Sequence, residues 1–277
     1  MFAPFEKFDL TGKTALVTGG SAGLGFHMAR ALGRAGAHVL IAARRPEALE
    51  EAAKQLKADS YIKNVDWHPV DLADRESVSA LAAYAINQFG GIDILVGNAG
   101  GTFVEQIIDL DPDKVAEGFQ LNLMSNMQLA KAFLPRMRER KWGRFIFSSS
   151  IASVLVGPRE GTATYVATKA ALNGFCRQIA ADMGHYGITA NSLVLGFYLT
   201  DIVSNAVRQM RETQGPAVAK KFVDEFVSST ALGRFGDPAE VEGLVQLLAS
   251  DAGSYITGAS IAIDGGMSIM MRPLAVH

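Results

Sequence analysis

Short apolar runs alternate with longer amphipathic stretches along most of the chain. Apolar and β-branched residues dominate the runs at residues 14–18, 38–43, 92–96, 144–148, 189–194 and 260–264. Helical spacing of apolar positions separates most of these runs, beginning with a segment from Gly25. Strands that alternate with helices pair in parallel, and helices cover both faces of the sheet. The pattern therefore predicts an α/β fold with a mainly parallel, doubly wound sheet.

No segment of the sequence marks a boundary between domains. The chain lacks a linker rich in proline, glycine and serine, a low-complexity tract and a repeat of fixed period. We therefore expect one domain over residues 1–277. The least regular region, at about residues 197–234, contains polar-faced helical segments at 201–211 and 216–228. An insertion of this kind near the carboxyl edge of the sheet is expected to form a substrate lid.

A glycine-rich turn follows the first predicted strand and opens the first helix. Its sequence is Thr18-Gly-Gly-Ser-Ala-Gly-Leu-Gly25. A tight strand-to-helix turn uses glycine for its own geometry, but the amides and dipole of a helix N-terminus also bind a pyrophosphate. This context favours a Rossmann-type dinucleotide site. The turn residues expected to contact the cofactor are Gly19, Ser21, Gly23, Leu24 and Gly25.

The end of the second predicted strand indicates which dinucleotide is bound. An NAD site places an acidic residue there for the ribose 2′-hydroxyl, but this strand ends in Arg44 and Arg45, with no acidic residue before Glu47. The sequence predicts NADP(H) over NAD(H), although a solvated arginine pair at a helix start is the alternative. Asp71, followed by Leu72, is expected either to accept a hydrogen bond from the adenine amino group or to cap a helix.

A tyrosine and a lysine share one face of the predicted helix that runs to about residue 183. Tyr165 and Lys169 are separated by one helical turn, so their side chains can act together. A nearby ammonium favours the phenolate, which suits Tyr165 to donate a proton to a ketone or to remove one from an alcohol. Ser150 ends the preceding strand, in the run 148–150, and is the expected donor to the carbonyl oxygen.

Composition and charge exclude several other classes of function. The 26 Lys and Arg balance 28 Asp and Glu, with no basic block that could follow the phosphates of a nucleic acid. Cys176 is the single cysteine, and the five histidines are scattered, which argues against a disulfide or a zinc motif. Without a secretory signal or an apolar run of ~18 residues, no membrane partner and a cytoplasmic location are expected.

Taken together, these motifs resemble the short-chain dehydrogenase/reductase family over nearly the whole chain. The opening segment, residues 8–13, is similar to gluconate 5-dehydrogenase-like and 3-oxoacyl-carrier-protein reductase-like members. The family's motifs are matched by the turn at 18–25, Asn98-Ala99-Gly100, Asn122, Ser150, Tyr165-x-x-x-Lys169, Thr257-Gly258 and Asp264-Gly-Gly266.

The resemblance implies a catalytic tetrad and further cofactor contacts. Asn122 would hold a proton-relay water, Ser150 polarise the carbonyl, Tyr165 transfer the proton, and Lys169 lower the tyrosine pKa and bind the nicotinamide ribose. Hydride would pass directly between the nicotinamide and the substrate carbon. The further positions that would line the cofactor site are Asn98, Ala99, Gly100, Gly196 and Thr200. The family likeness also implies a homotetramer.

The chain departs from the family pattern at a few positions. Leu195 stands where the family has proline, and Ala22 stands where NADP-dependent members often carry a basic residue. The connection between Ser150 and Tyr165 is about two residues longer than usual, which makes Arg159 and Glu160 candidates for the rim of the substrate site.

The expected function is hydride transfer between NADP(H) and a secondary alcohol or ketone of a small-molecule substrate. A polyol, a sugar acid and an acyl ketone all fit this chemistry, and NAD(H) stays open as the cofactor. Two alternatives remain: an isomerase or lyase that uses a tightly bound nicotinamide without net redox change, and a non-catalytic nucleotide-binding protein.

Overall fold

Parallel strands from both halves of the chain form one sheet in the structure, a computed structural model that describes residues 5–155 and 161–270. The sheet has seven strands in the order β3-β2-β1-β4-β5-β6-β7, with every neighbouring pair parallel. The predicted doubly wound α/β class is confirmed. The strands are β1 (Thr14–Thr18), β2 (His38–Ala43), β3 (Val65–Pro69), β4 (Ile94–Gly97), β5 (Gly143–Ser150), β6 (Ile188–Leu195) and β7 (Ser260–Ile263).

Helices cover both faces of this sheet. The α-helices are α1 (Gly23–Arg34), α2 (Pro46–Ala58), α3 (Arg75–Phe89), α4 (Pro112–Phe119), α5 (Ser125–Arg140), α6 (Ala163–Met183), α7 (Asp201–Gln214), α8 (Pro216–Ser228) and α9 (Glu242–Ala249). Apolar residues of α1, α2 and α9 form one buried cluster with the sheet, and those of α3, α5 and α6 form the cluster on the opposite face.

Neighbouring residues of one strand enter these two different cores. In β1, Val17 belongs to the cluster with α1, whereas Leu16 belongs to the cluster with α3 and α5. In β2, Ile41 and Leu40 divide in the same way, and all four side chains are fully buried. Because successive strand residues point to opposite faces, a strand covered on both sides must be apolar throughout. This explains the continuous apolar runs in the sequence.

The strand β3 (Val65–Pro69) is absent from those runs. It forms the edge of the sheet beside β2, and only Val65 of its five residues is buried. An edge strand with one unpaired side tolerates polar residues and proline, as Pro69 illustrates, and so it lacks the apolar signature of the central strands.

The two helices of the expected lid are α7 and α8. They begin at Asp201 and Pro216, as predicted, and α7 continues three residues beyond the predicted end, to Gln214. Gly215 joins them with φ +97°, a conformation that favours glycine. No helix in residues 5–155 or 161–270 combines the length and the apolar character that crossing a bilayer requires.

Candidate active site

The glycine turn after β1 is tied to the end of β4 by side chains at its first positions. Thr18 Oγ1 accepts hydrogen bonds from the amides of Asn98 and Ala99 at 3.0 and 3.1 Å, and Asn98 Nδ2 donates to the Thr18 carbonyl at 3.1 Å. A Cβ at Gly25 would overlap the Gly19 carbonyl oxygen. The close approach of strand, turn and helix therefore requires glycine at residue 25.

This turn opens into a cavity of about 540 Å³ at the carboxyl edge of the sheet. A volume in the range of ~300–1,000 Å³ is typical of a small-molecule or cofactor site. The expected cofactor residues that line it are Gly19, Ser21, Gly23, Leu24, Gly25, Arg44, Arg45, Leu72, Asn98, Ala99, Gly100, Tyr165 and Thr200. Lys169, Gly196 and Asp71 do not line this cavity.

Two guanidinium groups stand at the end of the cavity formed by β2. Arg44 and Arg45 are exposed and line the cavity wall. Within residues 5–155 and 161–270, neither guanidinium group has an ion-pair or hydrogen-bond partner. Their charges are therefore free to bind an anionic group in the cavity.

Asp71 lies beside the cavity but does not act as a helix cap. Its carboxylate accepts a hydrogen bond from the Ala73 amide at 3.0 Å, and its own amide donates to Ser77 Oγ at 3.0 Å. Asp74, three residues later, is the N-cap of α3. The capping alternative for Asp71 is therefore wrong, because the turn that Asp71 begins delays the helix. Leu72 is buried and does line the cavity.

A second cavity, of about 410 Å³, adjoins the first. Ser150 and Tyr165 line it, and Leu24, Tyr165 and Thr200 line both cavities. Ser150 ends β5, and its side chain lies beside that of Tyr165, which is in the first turn of α6. The proposed proton donor therefore stands where the two cavities meet.

Burial shifts the pKa values of the tyrosine and the lysine in opposite directions. It raises the pKa of Tyr165, and the Ser150 hydrogen bond offsets part of this rise. Burial lowers the pKa of Lys169 from 10.5 to about 8. The lysine Nζ lies 5.7 Å from the tyrosine ring centre and donates to the Ser148 carbonyl at 2.6 Å. Desolvation of the phenolate is the largest cause of the raised pKa of Tyr165, and the lowering of this pKa by the lysine ammonium stays a prediction.

Asn122 lies in one turn of π-helix, Gln120–Met124, between α4 and α5. Its side chain is fully buried and accepts from the Gly101 amide at 2.9 Å. Nδ2 donates to the Gly101 carbonyl at 3.0 Å and to Thr168 Oγ1 at 3.1 Å. These bonds connect the loop after β4 to the second turn of α6, one residue before Lys169.

Sequence reasoning missed a polar network behind Ser150. Ser153 Oγ donates to the Ser150 carbonyl at 2.6 Å and accepts from Asn173 Nδ2 at 2.9 Å. The single proton of the Ser149 hydroxyl is within reach of two acceptors, Ser153 Oγ at 3.1 Å and the Lys169 carbonyl at 3.2 Å. The run of serines signals this region, but isolated polar residues on α6 show no partner in sequence. The network fixes the backbone that presents Ser150.

The loop after β6 is held without the proline of the family pattern. Leu195 is buried within β6, and the next residue, Gly196, donates its amide to the Ile263 carbonyl at 3.2 Å. A Cβ at Gly196 would lie 2.6 Å from the Asp264 Cα, so this crossing requires glycine. Tyr198 adds a hydroxyl hydrogen bond to the same Ile263 carbonyl at 2.8 Å. The pairing of β6 with β7 and the Tyr198 hydrogen bond therefore restrain this loop where the family pattern has a proline.

Two residues named as candidates for the substrate rim, Arg159 and Glu160, lie outside the described residues. Gly196 lines the second cavity, together with Thr200. Cys176 is buried in the core beneath α6, as expected for a small apolar side chain, and burial raises its pKa to about 12.

Known proteins are similar to this one in sequence and fold over nearly the whole chain. A family model described as enoyl-(acyl carrier protein) reductase matches residues 19–268. The 3-oxoacyl-acyl-carrier-protein reductase FabG of Rickettsia conorii is 36% identical over 262 residues, which cover 94% of this chain and 98% of the relative.

Solved structures agree with these sequence relatives. The L-sorbose reductase of Gluconobacter frateurii, in complex with NADPH and L-sorbose, has a TM-score of 0.89 and 30% identity, covering 96% of this chain and all of that chain. A 3-oxoacyl reductase of Agrobacterium tumefaciens with NADP bound has a TM-score of 0.85 and 31% identity, with 96% and 98% coverage.

The similarity extends through the glycine turn, Ser150, Tyr165 and Lys169, and it includes the order of the strands. It is far too long to reflect a shared nucleotide-binding motif alone. The chain therefore belongs to the short-chain dehydrogenase/reductase family and is an NAD(P)-dependent oxidoreductase that acts on alcohol and carbonyl groups.

Proposed function

We propose that this protein interconverts a ketone and a secondary alcohol with NADP(H), using Tyr165 as the group that transfers the proton. The observation that carries the proposal is the placement of Tyr165 in the walls of both cavities, with Ser150 beside it in the wall of the second. A group at this junction can reach a substrate oxygen in one cavity while the dinucleotide occupies the other.

The first cavity fits a dinucleotide phosphate. Gly23 has φ +55°, and the absence of a side chain there leaves open space up to Thr200. The turn thus presents backbone rather than side chains to a pyrophosphate. Arg44 and Arg45 are the proposed partners of a 2′-phosphate, which favours NADP(H) over NAD(H). The NADPH and NADP bound by the solved relatives support this preference. When bound, the nicotinamide supplies or accepts the hydride.

The chain's own residues handle the oxygen of the substrate. Ser150 donates a hydrogen bond to the carbonyl oxygen, and Tyr165 donates its proton as negative charge develops there. Burial keeps the phenol protonated, which is the form that ketone reduction needs. In the oxidative direction the same tyrosine must lose its proton before it accepts one from the alcohol. Lys169 holds the Ser148 carbonyl, which fixes α6 against β5.

Further roles complete the proposal. Asn122 is proposed to hold the relay water as well as the loop at Gly101. The helices α7 and α8 are proposed to act as a lid, because Val203 of α7 and Phe226 of α8 line the second cavity. Residues 1–277 are proposed to act as a single domain.

A homotetramer is proposed from the surfaces that the fold leaves uncovered. A groove of about 740 Å³ on α5 and α6 is lined by Met124, Met127, Leu134 and Phe175. At the far side of the sheet, β6 is the one strand in residues 5–155 and 161–270 that pairs with β7, so the other edge of β7 is unpaired within these residues. Apolar side chains in a groove and an unpaired strand edge both favour contact with another subunit. A mass measurement that gives a monomer at micromolar concentration contradicts this part.

The cofactor assignment is tested by titrating the purified protein with NADPH and NADH. Arg44→Ala is expected to weaken NADPH binding at least ~10-fold, because a charge-assisted contact to phosphate is lost, and to leave NADH binding nearly unchanged. Arg177→Ala is the matched control, since Arg177 is exposed on α6 and does not line the cavity. Equal affinity for the two cofactors in the wild type contradicts the 2′-phosphate site.

The same purified protein separates the alternatives. An isomerase or lyase that recycles its cofactor retains nicotinamide through purification and shows no net NADPH consumption with a carbonyl. A nucleotide-binding protein without catalysis binds NADPH but consumes none. Consumption of NADPH with a ketone, abolished in Tyr165→Phe, identifies the oxidoreductase reaction.

A further inference from the structure

The second cavity has a polar end and an apolar end. At the polar end, Ser150, Tyr165 and Thr200 present hydroxyl groups. The remainder of the described wall is mainly but not entirely apolar. Its apolar side chains are Leu24, Ile151, Leu155, Val166, Phe197 and Met267, with Val203 and Phe226 from the lid helices, and its polar ones are Thr102, Thr162, Tyr198, Glu225 and Ser229. A substrate that places its carbonyl beside Tyr165 therefore places its remaining atoms against an apolar surface.

Aromatic contacts hold the lid side of this wall. Phe226 of α8 packs edge-on against Phe197, with ring centres 4.3 Å apart, and against Phe222 at 4.6 Å. Phe235 lies 6.1 Å from the same ring. Because three rings support it, Phe226 is a fixed apolar surface rather than a mobile side chain at the mouth.

The charge of the wall has the same sign as that of an acidic substrate. Among the described residues that line this cavity, Glu225 is the single charged side chain. Its side chain is 65% exposed and lies 3.9 Å from Lys221 in an ion pair one helical turn away. Among the described lining residues, a carboxylate in the substrate would meet this negative charge and would find no cationic side chain to compensate for its lost water.

We propose that the substrate is a neutral ketone whose substituent is apolar, an alkyl or aromatic group, rather than a sugar or a molecule with a free carboxylate. This proposal rests on the proposed function and narrows it. Reduction breaks the carbonyl π bond, forms a C–H bond with hydride from NADPH and forms an O–H bond with the proton of Tyr165. The ketone gains two electrons, the cofactor loses two and becomes NADP⁺, and the tyrosine regains its proton from water.

The class of substrate is tested by initial rates of NADPH consumption with matched ketones. The series 2-butanone, 2-hexanone and 2-octanone varies only the apolar chain, and kcat/KM is expected to rise about fourfold for each added methylene until the cavity is filled. Ethyl acetoacetate and acetoacetate share one reacting ketone, and the neutral ester is expected to exceed the acid at least ~10-fold. L-Sorbose tests the hydrophilic alternative and is expected to give the lowest value.

Two variants assign these preferences to the cavity wall. Phe226→Ala is expected to lower kcat/KM for 2-octanone mainly through KM, with Phe226→Leu as a milder second variant and NADPH binding as the check of folding. Glu225→Gln is expected to raise kcat/KM for acetoacetate up to ~5-fold and to leave 2-octanone unchanged. Asp224→Asn is the control, because this neighbouring carboxylate pairs with Lys220 and does not line the cavity.

The outcomes separate the two proposals. If sorbose or acetoacetate has a kcat/KM equal to or above that of the apolar neutral ketones, the substrate class is overturned and the reductase function stands. If no carbonyl compound is turned over above the rate of Tyr165→Phe, the proposed function itself fails. If Glu225→Gln and Asp224→Asn change the rate with acetoacetate equally, the charge of the wall does not select the substrate.

Discussion

Lys169 donates a 2.6 Å hydrogen bond from its buried ammonium to the backbone carbonyl of Ser148. The bond joins the second turn of α6 to the last residues of β5, the two elements that carry Tyr165 and Ser150. Together with the bonds that Ser149 and Ser153 make to α6, this contact sets the spacing of the proton donor and the group that polarises the carbonyl. It also places a cation where desolvation is costly, which explains its depressed pKa.

The first prediction concerns stability and pH. The pKa of Lys169 is about 8 in the folded protein against 10.5 for an unperturbed lysine, so between these values the unfolded chain binds more protons. Stability of the wild type relative to Lys169→Met is thus expected to rise by up to ~3 kcal/mol as the pH increases from 8 to 10.5. Below pH 8 the stability difference is not expected to change with pH, because Lys169 carries its proton in both the folded and the unfolded protein.

Urea unfolding of both proteins at several pH values measures this difference. Taking the difference between wild type and variant removes the titration of other groups that the two proteins share. A stability difference that does not change between pH 8 and 10.5 contradicts the depressed pKa.

The second prediction concerns the glycine turn. In Gly25→Ala, the new Cβ would overlap the Gly19 carbonyl, so the turn must move. We expect a loss of about 1–3 kcal/mol in unfolding free energy and weaker NADPH binding. Gly243→Ala is the control: it is an exposed helical glycine of α9 with no atom near its Cβ, and it is expected to gain ~0.5–1 kcal/mol. If Gly25→Ala has the same stability and NADPH affinity as the wild type, the turn can accommodate a Cβ at residue 25 and the prediction is wrong.

The third prediction concerns the loop after β6. Burial raises the pKa of Tyr198, so its hydroxyl stays protonated and donates to Ile263. Tyr198→Phe is expected to lose about 0.5–1.5 kcal/mol of stability, and no more, because the Ile263 carbonyl keeps the Gly196 amide as a partner. Tyr255→Phe alters a fully exposed tyrosine and should change nothing. Equal stability of the two variants contradicts the restraint assigned to Tyr198.

Local patterns with a strict geometric cause were readable from the sequence. The turn around Gly25 and the pair Tyr165 and Lys169 depend on residues that are near one another in the chain. The Ser153 and Asn173 contacts that hold Ser150 depend on how α6 docks on the sheet, which no local pattern encodes. The strand β3 was missed for a related reason, since its position at the sheet edge removes the demand for apolar residues.

Electrostatic effects and side-chain roles are harder to predict from the sequence than local backbone geometry. The sequence indicated correctly that an ammonium lies near the phenol of Tyr165, but the sign of the tyrosine pKa shift depends on burial. Likewise, Asp71 fits a helix cap in sequence, and only the turn through Ala73 shows that the helix begins after Asp74. The first difference arises from burial of the phenol, and the second arises from the hydrogen-bonded turn that precedes the helix.

The most direct test of the account is the rate of NADPH consumption with a neutral ketone in wild type and Tyr165→Phe. The variant removes one hydroxyl at the junction of the two cavities, so kcat is expected to fall about 10²–10⁴-fold while NADPH binding is retained. Tyr255→Phe serves as the control and should keep the wild-type rate. Turnover by Tyr165→Phe at the wild-type rate, with NADPH bound equally well, would contradict proton transfer by Tyr165.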